Sequence, residues 1–294
     1  MGDSTIIAYI MSMVGVFMAI SMKEKRTRPF LRWAGGKAWF IDYLSDLIAN
    51  NSFTDYYEPF IGGGSIFFSL AFQNANIILS DSNQELIDTY IAVRDMPEQV
   101  ISSISKYQNT SEFYYLLRET IPTTPAEKAA RFIFLNHTSY NGLYRVNQKG
   151  LYNVPYGHRA KVEINPSVIR DASAALKGVT LLSQDFAECS TNITKGSLVF
   201  LDPPYTVSHN NNGFIAYNKK IFSVNDQRRL ATCIDTIQKK GAYFILTNAA
   251  HDSIKEIFKN CGTCTEVKRH SLIGGKGATR GKTEELVFTN IEKR

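Results

Sequence analysis

Midway along the sequence, four apolar residues from Leu198 to Leu201 read as a buried strand and run straight into Asp202-Pro203-Pro204-Tyr205. In an open α/β sheet, ligands bind beyond the carboxyl ends of the strands, so this tetrapeptide stands where chemistry is done. Pro203 fixes its own φ, and Pro204 biases its neighbour toward extended geometry, which holds carbonyls out of helical pairing. The result is a stiff rim offering a carboxylate, a fixed carbonyl and an aromatic ring. A planar group with two N–H donors fits that rim. One hydrogen goes to Asp202, the other to the Pro203 carbonyl, and Tyr205 stacks on the face. The exocyclic amine of adenine is such a group, with a lone pair delocalised into the ring. Accepting both hydrogens pulls the nitrogen toward tetrahedral geometry and frees that pair. The carboxylate also offsets the positive charge that develops on attack. Prolines that merely end a strand are the plainer alternative, and an Asp at the strand end weighs against it.

A second candidate is Glu58-Pro59-Phe60-Ile61-Gly62-Gly63-Gly64-Ser65, between a strand read over 53–60 and a helix read over 65–73. Its three glycines let the backbone pass close to a ligand. Asp81, ending the next strand, is placed to accept hydrogen bonds from ribose hydroxyls. A dinucleotide fingerprint needs another glycine at position 67, where Phe67 stands. With Glu58 before the turn, this points away from NAD and toward a nucleoside ligand without a pyrophosphate. A tight turn beside a surface Asp is the alternative. Trp33-Ala34-Gly35-Gly36-Lys37 adds a flat aromatic, a flexible turn and a cation ahead of a helix, although Trp33 alone reads equally well as core. The run over 274–283 imitates a phosphate-binding loop and fails by count. Gly277 to Gly281 encloses three residues and Gly275 to Gly281 five, where four are required.

The elements that must carry these groups follow an α/β rhythm: strand, glycine turn, helix and a strand at 76–81. Residues 84–140 then hold only helical patterns, and 141–165 are polar, basic and punctuated by Gly and Pro, as a loop or hairpin would be. From Val179 the rhythm resumes, with strands at 179–183, 197–202, 242–248 and 284–290 and a helix over 224–240. The reading is one α/β domain in two pieces, 22–83 and 166–294, interrupted by a mainly helical insert over 84–165.

The net charge of +6 matters less than its distribution. Lys23 to Arg32 holds five basic residues and one acid, and Asn141 to Val162 holds Arg145, Lys149, Arg159 and Lys161 with no acid. Lys268, Arg269, Lys276, Arg280 and Lys282 crowd 266–282 against one Glu266. Three separated basic segments suit a polyanionic partner. Four cysteines are too few for a disulfide scaffold, which points to a reducing compartment. Cys261 and Cys264 have zinc-like spacing without a second pair, so no metal is expected. The apolar run over 6–20 lacks preceding positive charge and is short of a full span, so 1–21 reads as an extension rather than a signal or anchor.

Taken together, "FLRWAGGK" (30–37), "EPFIGGGS" (58–65), Asp81, "SYNGLYRVNQKGLYNVPYG" (139–157), "DPPY" (202–205) and the basic tail with "TRGKTEELVFTN" occur in an order that resembles the Dam-type DNA adenine-N6 methyltransferases, including those of restriction systems. The likeness runs from about Phe30 to the end of the chain. It implies a Rossmann-like methyltransferase sheet with an inserted DNA-recognition domain, and S-adenosylmethionine as methyl donor. Trp33, Lys37, Pro59, Phe60, Gly62, Gly64 and Asp81 match cofactor-pocket positions, with Asp185, Phe186 and Asp202 completing the pocket. Asp202, Pro203, Pro204 and Tyr205 would be catalytic, without metal or covalent intermediate.

The resemblance also implies double-stranded DNA as partner and an adenine flipped out of a GATC site, since a paired base cannot reach that turn. Tyr140 would enter the vacated place and Asn141 would meet the orphaned partner. Arg145 would read a guanine edge, with Leu143 and Pro155 near a thymine methyl, and Arg32 and Arg159 would supply further contacts. His158-Arg159 stands where the family pattern suggests Arg-Tyr, which leaves that contact open. A monomer or weak dimer working inside the cell beside its DNA is expected, with no membrane. The rivals are adenine-N6 transfer at another sequence or on RNA, and a catalytically silent DNA-binding relative. Asp202 and the insert favour the first reading, and intact Asp202 with Tyr205 weighs against the silent one.

Overall fold

Side chains of the central strands alternate between two apolar clusters, because successive residues of a strand point to opposite faces. Tyr56, Leu198, Phe200, Ile245 and Val287 enter one cluster; Tyr57, Val199, Leu201, Phe244, Leu246, Leu286 and Phe288 enter the other. A sheet buried on both faces needs helices on both, as parallel sheets do. The computed structural model describes residues 20–22, 27–49, 51–72, 75–205, 222–270 and 282–292. Most of the apolar run over 6–20, the loop after Tyr205 and most of the 274–283 run lie outside these residues.

The strands are β1 (Ile20–Met22), β2 (Asp55–Glu58), β3 (Leu70–Phe72), β4 (Asn76–Asp81), β5 (Thr180–Ser183), β6 (Leu198–Leu201), β7 (Tyr243–Ala249), β8 (Thr263–His270) and β9 (Lys282–Thr289). Seven of them form one sheet in the order β5-β4-β2-β6-β7-β9-β8. β5, β4, β2, β6 and β7 are parallel, and β9 runs antiparallel to β7 and β8. The helices are α1 (Ile41–Ile48), α2 (Gln84–Asp95), α3 (Pro97–Ile104), α4 (Ser111–Glu119), α5 (Pro125–Thr138), α6 (Pro166–Leu176), α7 (Cys189–Asn192), α8 (Val224–Lys239) and α9 (Asp252–Ile257). Residues of α1, α2, α3, α5 and α6 cover the first face, and residues of α7, α8 and α9 cover the second. Strand order reverses at β2: the chain goes outward to β4 and β5, then returns to β6. That reversal opens a crevice beyond the carboxyl ends of β2 and β6.

Helix starts carry their own signals. Thr124 and Glu127 close a capping box ahead of α5, with Pro125 at its first turn, and Ser223 with Asp226 does the same for α8. Each such cap contributes about 1 kcal/mol. Among the described residues no helix is long and apolar enough to cross a membrane.

Between β4 and β5, the helices α2, α3 and α5 share the first core with the sheet. A third cluster of Tyr114, Leu117, Phe134, Leu135, Tyr152, Val154 and Tyr156 joins α4, the other side of α5 and the segment that follows. Bridges Ser139–Tyr156 and Val146–Tyr152 fold that segment back on itself.

The helix read over 65–73 is not there. One 3-10 turn at Phe67–Ser69 is followed by β3, which pairs antiparallel with β1. A helical start is made, since Phe68 N–H reaches Gly64 O. Leu70 to Phe72 then find backbone partners in Ile20 to Met22 instead. Ile20, placed by sequence outside the functional unit, is buried in the first core.

Candidate active site

The glycine loop after β2 is shaped by close contacts. Gly62 and Gly64 have φ of 47° and 72°, the left-handed region that side chains avoid. A Cβ at Gly62 would lie 2.8 Å from Trp33 Nε1, and one at Gly63 would lie 2.6 Å from Trp33 Cβ. The indole therefore rests directly on the loop. Gly62 N–H donates to Asp81 Oδ2 (3.2 Å) and Asn83 N–H to Asp81 Oδ1 (3.0 Å), fastening the end of β4 to the loop. Burial raises the Asp81 carboxyl to about 6, against the pull of the Asn83, Gly62 and Ser82 N–H groups.

Beside the loop, Phe60 stacks on Phe186 with centroids 5.4 Å apart, and Phe222 meets Phe60 edge-on at 5.7 Å. Asp185 accepts the Ala187 N–H and pairs with Arg229 at 2.8 Å. The same guanidinium lies 4.9 Å from the Phe186 ring centroid. An acid, a pair of aromatic faces and a second acid thus line one end of the sheet.

Beyond β6, Asp202 Oδ1 accepts hydrogen bonds from Thr247 Oγ1 and pairs with Lys37 Nζ, each at 2.8 Å. Burial raises the Asp202 pKa, and the Lys37 charge opposes that rise. The Tyr205 hydroxyl donates to Glu285 Oε2 at 2.5 Å. Lys37 Nζ is 3.6 Å from the same oxygen and 4.8 Å from the Tyr205 ring centroid. Lys37 N–H donates to Ser65 Oγ (3.0 Å), so the Trp33–Lys37 segment ties the glycine loop to the acid-proline turn. Glu58, 3% exposed, accepts from the Tyr56 hydroxyl at 2.8 Å. Burial pushes its carboxyl up to about 8, the tyrosine hydrogen bond pulls the other way, and the Asp202 charge adds to the rise. This rise favours the protonated form of Glu58 near neutral pH.

Sequence-selected residues of the basic hairpin also come together. Asn136, fully buried on α5, accepts the Arg32 N–H and donates to the Arg32 and Gly142 carbonyls. Tyr140 N–H donates to Pro155 O, and Arg145 donates to Asn153 Oδ1 and Asn153 O. Asn141 has φ of 55°, and Tyr140 is 55% exposed. Tyr140, Asn141, Arg145 and Pro155 are exposed and Leu143 is half-buried. The Arg159 carbonyl accepts from Asn109 Nδ2, and the same Asn109 accepts from the Tyr156 hydroxyl of the hairpin. Tyr144 stacks on Trp33 at 5.7 Å and donates to Glu85 Oε2, linking the hairpin to the glycine loop.

Sequence reading missed Thr247, Glu285, Arg229 and Tyr144. Glu285 carried a visible signal: an acid beside Leu286, Val287 and Phe288 in a strand buried on both faces. The other three had no signal, since their contacts join residues far apart in the chain.

A doubly wound sheet with a glycine loop and an acid-proline turn facing one crevice defines an enzyme of the Rossmann-like methyltransferase class. Comparison with known families is then specific. The chain belongs to the D12 class N6 adenine-specific DNA methyltransferases, whose family model matches residues 33–272. The type II methyltransferase M1.LlaDCHI of Lactococcus lactis subsp. cremoris is 33% identical over 285 residues, spanning 93% of this chain and 99% of that protein. The type II methyltransferase M.MjaIII of Methanocaldococcus jannaschii is 33% identical over 76% of this chain and 84% of its own length. The DNA adenine methylase of Escherichia coli K12 is 28% identical over 90% and 95%.

Proposed function

We propose that Asp202, Pro203 and Tyr205 receive an adenine swung out of duplex DNA, within GATC, and that S-adenosylmethionine lies along the glycine loop. The supporting observation is the shared crevice: Lys37 contacts the loop through Ser65 and the turn through Asp202. The pocket fits the cofactor. Asp81 is the acid for ribose hydroxyls, and Phe60 and Phe186 offer apolar faces for a purine. Asp185 stands beside them as acceptor for an amine, and a Cβ at Gly62 or Gly63 would collide with the packed indole. When bound, the cofactor supplies an electrophilic methyl on a sulfonium.

The chain's own groups do the rest. Thr247 holds Asp202 Oδ1 in place. Asp202 and the Pro203 carbonyl take the two amino hydrogens, localising the nitrogen lone pair, and the Tyr205 ring covers the base. The carboxylate offsets the charge that forms on nitrogen, and once the amine is cationic its proton passes to water. Fixing the nitrogen in line supplies much of the remaining rate. The third cluster and the hairpin over 139–157 form the DNA reader, with Tyr140, Asn141, Leu143, Arg145 and Pro155 toward the bases and Arg32 nearby. GATC rests on the likeness of that hairpin to Dam-type enzymes.

Asp202→Ala tests the reading. Methylation of GATC duplexes falls by roughly 10²–10³-fold, the scale of a lost preorganised contact, while cofactor and DNA binding persist. A variant that still methylates at the normal rate removes Asp202 from the mechanism.

A further inference from the structure

We propose that Glu285 of β9 is a positioning residue for methyl transfer, pinning the Tyr205 ring by its hydroxyl and sharing the Lys37 ammonium with Asp202. The inference rests on the reading of Asp202 as acceptor of the target amine.

Glu285 is 1% exposed and pairs in register with Ala249, two residues beyond the Thr247 that bonds Asp202. A carboxylate buried in a sheet core is costly unless paired and hydrogen-bonded. Its partners include the Tyr205 hydroxyl at 2.5 Å and the Lys37 ammonium at 3.6 Å, both of them groups of the site. Tyr205 follows two prolines, so its backbone is stiff while its ring still turns about the side-chain torsions. A hydrogen bond at the hydroxyl holds the far end of that ring and sets the plane on which a base stacks.

The second effect acts through Lys37. Its ammonium stands between Asp202 Oδ1 at 2.8 Å and Glu285 Oε2 at 3.6 Å. With Glu285 present, Asp202 is not the sole anion holding that cation, and an incoming amine competes more easily for its oxygens. Asp202 is faced by Lys37 from the loop before α1, Glu58 from β2, Thr247 from β7 and Glu285 from β9. Of these, the Glu285 charge raises its proton affinity, and Lys37 and the Thr247 hydrogen bond lower it. Removing the Glu285 charge therefore moves the acid limb of the kcat profile to lower pH.

The experiment measures kcat, KM for S-adenosylmethionine and KM for duplex DNA from pH 5 to 9. The proteins are wild type, Glu285→Gln, Glu285→Asp, Tyr205→Phe and Asp202→Ala. Glu285→Gln is expected to lower kcat about tenfold or more, as misplacement of a reacting group does. Both KM values stay within about twofold, since the contact matters in the transition state. Its acid limb moves down, and Glu285→Asp, which keeps the charge, restores the limb. Wild-type kcat, or a loss of kcat with an unmoved limb, overturns the proposal while inactive Asp202→Ala keeps the acceptor reading intact. Active Asp202→Ala overturns the acceptor reading itself. Should Glu285→Gln fail to fold, Tyr205→Phe decides, because it removes the hydrogen bond and leaves the ion pair. A lowered kcat there supports the proposal, and an unchanged kcat overturns it.

Discussion

Glu58→Gln makes the cost of a buried carboxyl measurable. Glu58 sits in β2, 3% exposed, with the Tyr56 hydroxyl donating to it, and burial moves its pKa from 4.5 to about 8. Between those values the folded chain keeps a proton that the unfolded chain has released. Stability is therefore greatest below the unfolded pKa and declines as pH rises, by at most ~1.4 kcal/mol per unit. At pH 7, ~3 kcal/mol of the low-pH stability has been lost through this group. Gln preserves the shape and the oxygen that accepts from Tyr56, but it has no proton to lose. The difference, variant minus wild type, should grow by ~4 kcal/mol from pH 5 to pH 8 and then level off. Asp81, raised to about 6, slopes the same way in both proteins and cancels in the difference. Urea unfolding at unit pH steps reads it directly. A difference that stays flat, or shrinks with rising pH, refutes the assignment of Glu58 as a protonated core group.

Gly64→Ala places a Cβ 2.7 Å from Tyr90 Oη at φ of 72°. Left-handed strain and overpacking together cost about 2–5 kcal/mol, so the melting temperature should drop by roughly 5–15 °C; an unchanged value means the loop relaxes freely. On the DNA-binding reading, affinity falls with salt at a log–log slope of about −0.9 per phosphate neutralised. Arg145→Ala relaxes discrimination at one base pair, by about 1–3 kcal/mol. Binding that is flat between low and moderate salt counts against the basic segments meeting phosphates.

Much of this protein is legible in the chain by itself. Leu198 to Leu201 read as a buried strand because β6 is apolar on both faces, and the turn after it announces itself by Asp202 and two prolines. The capped starts of α5 and α8 are equally local, since each cap is closed within three residues. Such features are governed by contacts between near neighbours, and those the sequence displays. Tertiary structure alone decided the rest. Leu70 to Phe72 became a strand because Ile20 to Met22 came alongside, overriding the helical start that Gly64 and Phe68 had made. Lys37, Asp202, Tyr205, Thr247 and Glu285 became one network only when the loop before α1, the turn after β6, and β7 and β9 were set side by side. Which buried acid meets which cation depends on where the sheet brings distant segments together, and short-range pattern holds no record of that distance.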